Sequence, residues 1–122
     1  MKETRPVTIF CDIDGTLVKH SSPFLATQPN FRMELLPGTL DKLWEWETSG
    51  YNIILTTGRR ESMRKATEKQ LAEVGIIYDT LIMGIKGGKR VLINDRKPSG
   101  NKNYASAINL TRNEGINNIK IK

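Results

Sequence analysis

The fold is decided by one stretch near the start of the chain, Val7-Thr8-Ile9-Phe10-Cys11-Asp12-Ile13-Asp14-Gly15-Thr16-Leu17. Its first part, residues 7–11, is a short apolar run with β-branched side chains, which predicts a buried strand. The polar tripeptide Asp12-Ile13-Asp14 and the glycine after it predict that this strand ends in a loop. Two carboxylates so close together repel unless a cation lies between them or one takes a proton. Because Mg²⁺ prefers oxygen ligands, the strand end is a candidate magnesium site.

Strands and helices alternate along the rest of the chain. Further strands are predicted over residues 51–55, 81–83 and 91–93, with a final edge strand over 119–121. A first helix ends before Gly50 and is expected to bury Leu36, Leu40, Leu43 and Trp44, with Trp46 off that face. A second helix closes at Gly75 and has the apolar residues Met63, Ala66, Leu71 and Val74; a weaker helix is predicted over 104–113. This order predicts an α/β, Rossmann-like three-layer sandwich, with helices on both faces of a mostly parallel sheet.

Length and composition bound the organisation of the chain. At 122 residues, with 38% hydrophobic and 26% charged residues, it has a globular composition, and we expect one domain over 1–122. Residues 19–36 are rich in Pro and Ser and are predicted to form a short flap. No apolar run is long enough to span a membrane. One cysteine and an N-terminus without a secretory-signal pattern predict a cytoplasmic setting.

Polar residues follow the predicted strands at their carboxyl ends, where ligands bind in open α/β sheets. Thr57-Gly58-Arg59 lies between a strand and a helix, and a hydroxyl, free N–H groups and a guanidinium together favour phosphate. Asp95 follows the 91–93 strand and is a candidate third carboxylate for the metal. Each motif alone is also typical of an ordinary turn. The net charge of +6 favours an anionic partner, and six basic residues fall between 86 and 102.

Together these motifs resemble the haloacid dehalogenase (HAD) superfamily of phosphatases. Asp12-Ile13-Asp14-Gly15-Thr16-Leu17 is similar to the first motif of that family, and the strand that ends in Thr57 is similar to the second. Val91-Leu92-Ile93-Asn94-Asp95 resembles the acidic fourth motif, except that Asn94 stands where the family often has a second acid. The resemblance covers about residues 6–99 and implies a HAD-like fold.

The resemblance implies a role for each matched residue. Asp12 would be the nucleophile that forms an aspartyl-phosphate, and Asp14 the general acid and then the base. Asp12, the main chain of Asp14, and Asp95 would hold Mg²⁺. Thr57, with the Gly58 amide and Arg59, would bind the phosphoryl group. The lysine of the third motif is ambiguous among neighbouring candidates, of which Lys97 and Lys89 are preferred to Lys86, although each is also typical of a solvated surface.

The sequence leaves three alternatives for the function. The intervals between the motifs leave no room for a full cap domain, so we expect an open site that admits a large substrate or is closed by a second subunit of a homo-oligomer. Small capless members of the family act on phosphorylated sugars or on the 3′-phosphate ends of nucleic acids. A phosphorylated metabolite is the preferred substrate here, since aromatic residues for base stacking make up only 7% of the chain. A non-catalytic module that binds phosphate or metal is the third alternative.

Overall fold

A computed structural model describes residues 5–121. Three parallel strands form its sheet: β1 (Thr8–Asp12), β2 (Asn52–Thr56) and β3 (Thr80–Ile82), in the order β1-β2-β3. Asp12 pairs with Thr56, and Thr56 pairs with Ile82, so all three strands end at the same level. The carboxyl ends of the strands therefore share one edge of the sheet, as the alternating sequence pattern predicts.

Two helices, α2 (Thr39–Thr48) and α3 (Arg64–Glu73), contribute buried residues to the core on one face of this sheet. A shorter helix, α1 (Pro23–Ala26), precedes them in the chain, and a 3₁₀ turn over Glu61–Met63 precedes α3. The core joins the inward side chains of the strands, among them Ile9, Ile53 and Leu81, to residues of α2 and α3. On the opposite face Phe10 is 55% exposed. The expected three-layer sandwich is therefore wrong for residues 5–121, which form two layers.

The buried face of α2 differs from the one that its sequence predicts. Leu43 and Trp46 are almost fully buried, whereas Leu40 and Trp44 are exposed. The helix begins at Thr39, whose buried hydroxyl donates to the Leu17 carbonyl at 2.6 Å. The buried positions of the helix are 39, 43 and 46, which lie on one face at helical spacing. The interpretation of Trp44 as core and Trp46 as peripheral was wrong.

Three elements that the sequence predicts are not formed between residues 84 and 121. Residues 91–93 are 61–92% exposed and pair with no strand of the sheet. A strand of three residues depends on such pairing, and an apolar run alone does not supply a partner. Residues 104–113 form no helix, since Ser106, Asn109 and Thr111 are weak helix formers. Residues 119–121 form no edge strand, although Ile116 nearby is buried in the core.

The flap over 19–36 closes on itself. Its two ends form an antiparallel bridge between Val18 and Leu35, and the Lys19 N–H donates to the Glu34 carbonyl at 2.8 Å. Between them lies α1, which Ser22 caps by accepting from the Leu25 N–H. No helix within residues 5–121 has the length and apolar character that a membrane crossing needs.

Candidate active site at the carboxyl edge of the sheet

Two of the predicted motifs meet where β1 and β2 end. Asp12 is the last residue of β1, and Thr57 directly follows β2. Thr57 is fully buried, and its main chain is fixed on both sides: its N–H donates to the Ile82 carbonyl and its carbonyl accepts from the Ile85 N–H, each at 3.0 Å. The loop after β3 therefore holds the Thr57 position rigid beside the end of β1.

Asp14 and Arg59 form an ion pair across this edge. The Arg59 Nη2 donates to Asp14 Oδ1 at 3.0 Å and its Nε to Oδ2 at 3.2 Å, which is the two-pronged geometry of a strong guanidinium–carboxylate contact. The Arg59 side chain is only 9% exposed, and the Asp14 side chain is 20% exposed. This pair brings the first and second motifs into direct contact.

The Thr57 hydroxyl lies inside that ion pair. Its Oγ1 donates to Asp14 Oδ2 at 3.2 Å and accepts from the Arg59 N–H at 3.1 Å. One hydroxyl thus fixes both the carboxylate and the backbone that carries the guanidinium. A threonine meets both demands because it has one donor and free lone pairs.

The far side of the Arg59 guanidinium is also held. Its Nη1 donates to Gln70 Oε1 at 2.6 Å, and Thr67 Oγ1 lies 3.4 Å from the same nitrogen. Gln70 and Thr67 are buried residues of α3. Arg59 is therefore fixed between Asp14 and the helix rather than extended toward solvent.

Asp12 stands apart from this ion pair. It is half-buried, and its Oδ2 accepts from the Thr16 hydroxyl at 3.2 Å. Burial raises the pKa of Asp12 above its ordinary value, and the charge of Asp14 adds to the rise, while the Thr16 bond, the Arg90 charge and the backbone at Ile13 oppose it. The Asp12 carboxylate consequently lacks full compensation for its charge, which favours a cation beside it.

Gly15 shapes the turn that carries Asp14. Its φ is +88°, in the left-handed region that side chains rarely adopt, and its N–H donates to the Val18 carbonyl at 2.7 Å. A Cβ at this position would lie 3.1 Å from Arg112 Cγ. The backbone conformation therefore favours glycine at this turn, and any larger residue would also require the Arg112 side chain to shift.

Three further predicted site residues, Asp95, Lys89 and Lys97, are exposed on the irregular segment after β3. Lys97 instead lies over the Tyr104 ring, with its Nζ 5.1 Å from the ring centroid. No three acidic, histidine or cysteine side chains come together as metal ligands in residues 5–121, so Asp95 does not complete a site with Asp12 and Asp14. Gly58 is exposed beside Thr57 and stays accessible.

Sequence reasoning missed three contacts of the site. The sequence indicates no separate role for Thr16 or Gln70, and it places Arg90 only within the basic run between residues 86 and 102. Arg90 is the cation whose charge acts on Asp12, at a position next to Lys89. The helical spacing from Thr67 to Gln70, which puts two polar groups on the buried face of α3, is the signal that would have pointed to Gln70.

The chain has one cysteine and one histidine, and the structure shows the surroundings of both. Cys11 is buried, and burial together with the Asp12 charge raises the pKa of its thiol to about 12, so it is not a reactive thiolate. His20 is exposed, and its backbone N–H donates to Asn113 Oδ1 at 2.8 Å.

Comparison with known proteins shows the fold alone. No protein-family model and no curated protein matches this sequence. The chain is similar to a crystal structure of an MCSG target from Vibrio cholerae, with a TM-score of 0.51 and 18% identity over 76% of this chain and 85% of that one. The chain is thus a small α/β protein with an open parallel sheet, consistent with a Rossmann-like fold.

Proposed function

We propose that this protein is a Mg²⁺-dependent phosphomonoester hydrolase of the HAD type that acts on a phosphorylated sugar or similar metabolite through an aspartyl-phosphate. The observation that carries the proposal is the arrangement at the sheet edge. Asp12 carries a half-buried carboxylate with incomplete charge compensation, while Thr57 and Arg59 supply a hydroxyl and a guanidinium that contact Asp14, two residues further along the chain. A nucleophile and groups suited to a phosphate thus lie at the end where open α/β sheets bind ligands.

The chemistry divides between the two aspartates. An Asp12 carboxylate oxygen forms a bond to phosphorus as the ester P–O bond breaks, and the leaving oxygen takes a proton from the Asp14 carboxyl. Water then attacks phosphorus and gives its proton back to Asp14, and the Asp12–phosphorus bond breaks to release phosphate. Each proton and oxygen is accounted for, and both residues return to their starting states.

Arg59 and Thr57 would hold the phosphoryl group during these steps. Both now contact Asp14, so a phosphate dianion must compete with that carboxylate for the guanidinium. A phosphate with two negative charges is the stronger partner for a forked cation. Transfer of Arg59 to the phosphate also frees Asp14 to carry the proton that the first step needs.

The donors at this edge fit magnesium in part. Mg²⁺ is commonly held by one or two carboxylates with substrate phosphate oxygens and waters. The Asp12 carboxylate and the main chain of Asp14 would supply the protein ligands, and a dication would offset the unfavourable charge of Asp12. When bound, the metal would neutralise charge between carboxylate and phosphate. Asp95 does not belong to this donor set.

Hydrolysis of an aryl phosphate with and without Mg²⁺ tests the proposal. We expect phosphate release that requires Mg²⁺ and falls at least about 10³-fold in Asp12→Asn. Asp79→Asn is the matched control, because Asp79 accepts from the Ile53 N–H at 2.8 Å, away from Asp12. Release by Asp12→Asn at the wild-type rate would contradict the assignment. Phosphate binding without turnover would instead favour a non-catalytic phosphate-binding module.

A specific observation also favours the nucleic-acid alternative. The Tyr104 ring is 41% exposed, and three cations lie within 5.1–5.6 Å of its centroid: Arg5, Lys97 and Lys102. Beside it lies a cavity of about 330 Å³ lined in part by Arg96, Asn94 and Asn103. Basic and aromatic groups in one patch are typical of surfaces that bind single-stranded nucleic acid.

The position of this patch separates the two substrate classes. Arg5 lies seven residues before Asp12, which corresponds to about 23 Å of extended chain, so the patch lies toward the opposite end of β1 from the carboxylates. A sugar phosphate cannot reach both, whereas an extended oligonucleotide can. For a nucleic-acid substrate we expect Lys97→Ala with Lys102→Ala to raise KM for a 3′-phosphorylated oligonucleotide at low salt and to leave aryl phosphate hydrolysis unchanged. An unchanged KM for the oligonucleotide would exclude this class.

A further inference from the structure

A chain of hydrogen bonds runs from Asp14 to the flap. The Gln70 amide accepts from Arg59 Nη1 at 2.6 Å through Oε1, and its Nε2 donates to the Ala26 carbonyl at 2.9 Å. Gln70 is 6% exposed and Ala26 is 5% exposed, so both contacts are shielded from water. Since the amide has one acceptor end and one donor end, these two partners fix its orientation completely.

We propose that Gln70 is a positioning residue that couples the Arg59–Asp14 ion pair to the flap segment α1. If the guanidinium moves, its 2.6 Å bond to Gln70 must lengthen or the amide must follow, and the same amide holds the Ala26 carbonyl. This inference extends the proposed function and rests on it for one consequence. A substrate phosphate that draws Arg59 away from Asp14 would change how well the α1 segment is ordered.

The flap offers an internal control for this coupling. A second bond joins it to α3, from Arg32 Nη2 to the Glu73 carbonyl at 3.1 Å. That bond does not involve Arg59 or Asp14. Loss of Arg32 should therefore loosen the flap without changing its response to the ion pair, whereas loss of Gln70 should change both.

Hydrogen exchange of α1 reports this coupling without substrate, metal or turnover. The amides of Ala26, Thr27 and Gln28 are hydrogen-bonded to Ser22, Phe24 and Leu25, so their exchange measures opening of the segment. Asp14 touches none of these residues. We expect Asp14→Asn, in an otherwise wild-type protein, to change the exchange rates of the α1 amides about three- to five-fold. The reason is that an amide at position 14 binds the Arg59 guanidinium more weakly than the carboxylate does.

A double-mutant cycle gives the decisive comparison. We expect Asp14→Asn to have no effect on α1 exchange once Gln70→Ala is present, but to retain its effect in Arg32→Ala. Gln70→Glu separates the two bonds, because a carboxylate accepts from Arg59 and cannot donate to Ala26; we expect it to abolish the coupling as Gln70→Ala does. Lys69→Ala, at an exposed position of the same helix, should change nothing.

Each outcome bears on one claim. If the effects of Asp14→Asn and Gln70→Ala are additive at α1, Gln70 is merely structural and the inference is overturned. If Asp14→Asn does not fold, Arg59→Lys takes its place in the cycle, since lysine cannot bridge Asp14 and Gln70 together. Coupling in a protein that hydrolyses no phosphate ester would uphold the inference and defeat the proposed function, while turnover without coupling would do the reverse.

Discussion

Arg59 holds Asp14 by two bonds, of 3.0 Å and 3.2 Å, at a point where both side chains are largely buried. The pair sets Asp14 apart from Asp12, although the two leave the same strand. Asp14 is compensated by a guanidinium and a hydroxyl, whereas Asp12 has one Thr16 bond and the more distant charge of Arg90. Two carboxylates in different environments are suited to different roles in one reaction.

Removal of Arg59 should destabilise the protein more than removal of an exposed arginine. Arg59→Ala leaves the Asp14 carboxylate without its main partner in a largely buried position, and we expect a loss of about 2 kcal/mol in the free energy of unfolding. Urea denaturation at neutral pH measures this value. Arg60→Ala is the control, because Arg60 is exposed next to Arg59 in the chain and its loss should cost less than about 1 kcal/mol. Equal losses would contradict the importance of the buried pair.

The raised pKa of Asp12 makes a prediction about stability and pH. Because folding disfavours its charged form, the folded protein holds this proton more tightly than the unfolded chain does. The stability contributed by the protonated form is therefore present at low pH and is lost as pH rises through the folded-state pKa. Asp12→Asn removes the charge, so we expect its Tm at pH 7 to exceed that of the wild type by about 2–5 °C.

Two further conditions check this prediction. The difference in Tm between Asp12→Asn and the wild type should vanish at acid pH, below the ordinary range of aspartate. Added Mg²⁺ should raise the Tm of the wild type alone, since the variant lacks the carboxylate. A Tm for Asp12→Asn below that of the wild type at pH 7 without Mg²⁺ would show that the carboxylate is well compensated, contrary to the geometry.

Thr57 should tolerate serine and not valine. Valine preserves the shape but leaves Asp14 Oδ2 and the Arg59 N–H without the hydroxyl that serves both. We expect Thr57→Val to cost about 1–3 kcal/mol and to abolish hydrolysis, and Thr57→Ser to lose less than about 1 kcal/mol and keep activity. Thermal unfolding and aryl phosphate turnover measure the two effects. Equal activity in the two variants would rule out a role for the hydroxyl.

The two tryptophans of α2 test the orientation of that helix. Trp46 is 2% exposed and Trp44 is 64% exposed. We expect Trp46→Leu to lower the free energy of unfolding by about 2–4 kcal/mol, and Trp44→Leu to change it by less than about 0.5 kcal/mol. Quenching of each single-tryptophan variant by iodide gives a second readout, since only Trp44 should be accessible. The opposite ranking would restore the helical face that the sequence pattern suggested.

Much of the sheet edge could be predicted from the sequence, because strand ends follow from short-range patterns. The polar residues after each apolar run identified Asp12 and Thr57, and their strands are parallel neighbours. The contact between Asp14 and Arg59 could not be predicted in the same way. It depends on which of several anions the guanidinium reaches, and that is decided by the path of the backbone and by Gln70 on another element.

The remaining differences share a physical cause. The predicted face of α2 was wrong because the periodicity of Leu40, Leu43 and Trp44 does not report the tertiary contacts that bury Thr39 and Trp46. The run over 91–93 has strand-like residues, but a strand also needs an edge to pair with. Asp95 follows this run, and its predicted place among the metal ligands depended on the strand being formed.

The identity of the nucleophile is the central claim, and trapping the covalent intermediate tests it most directly. Asp14→Asn retains Asp12 but lacks the base that activates water, so we expect a phosphorylated enzyme to accumulate when it is mixed with an aryl phosphate and Mg²⁺. Acid quenching and peptide mass spectrometry should place the phosphoryl group on Asp12, with none in Asp12→Asn. A phosphoryl group on another residue, or turnover that persists in Asp12→Asn, would contradict the account.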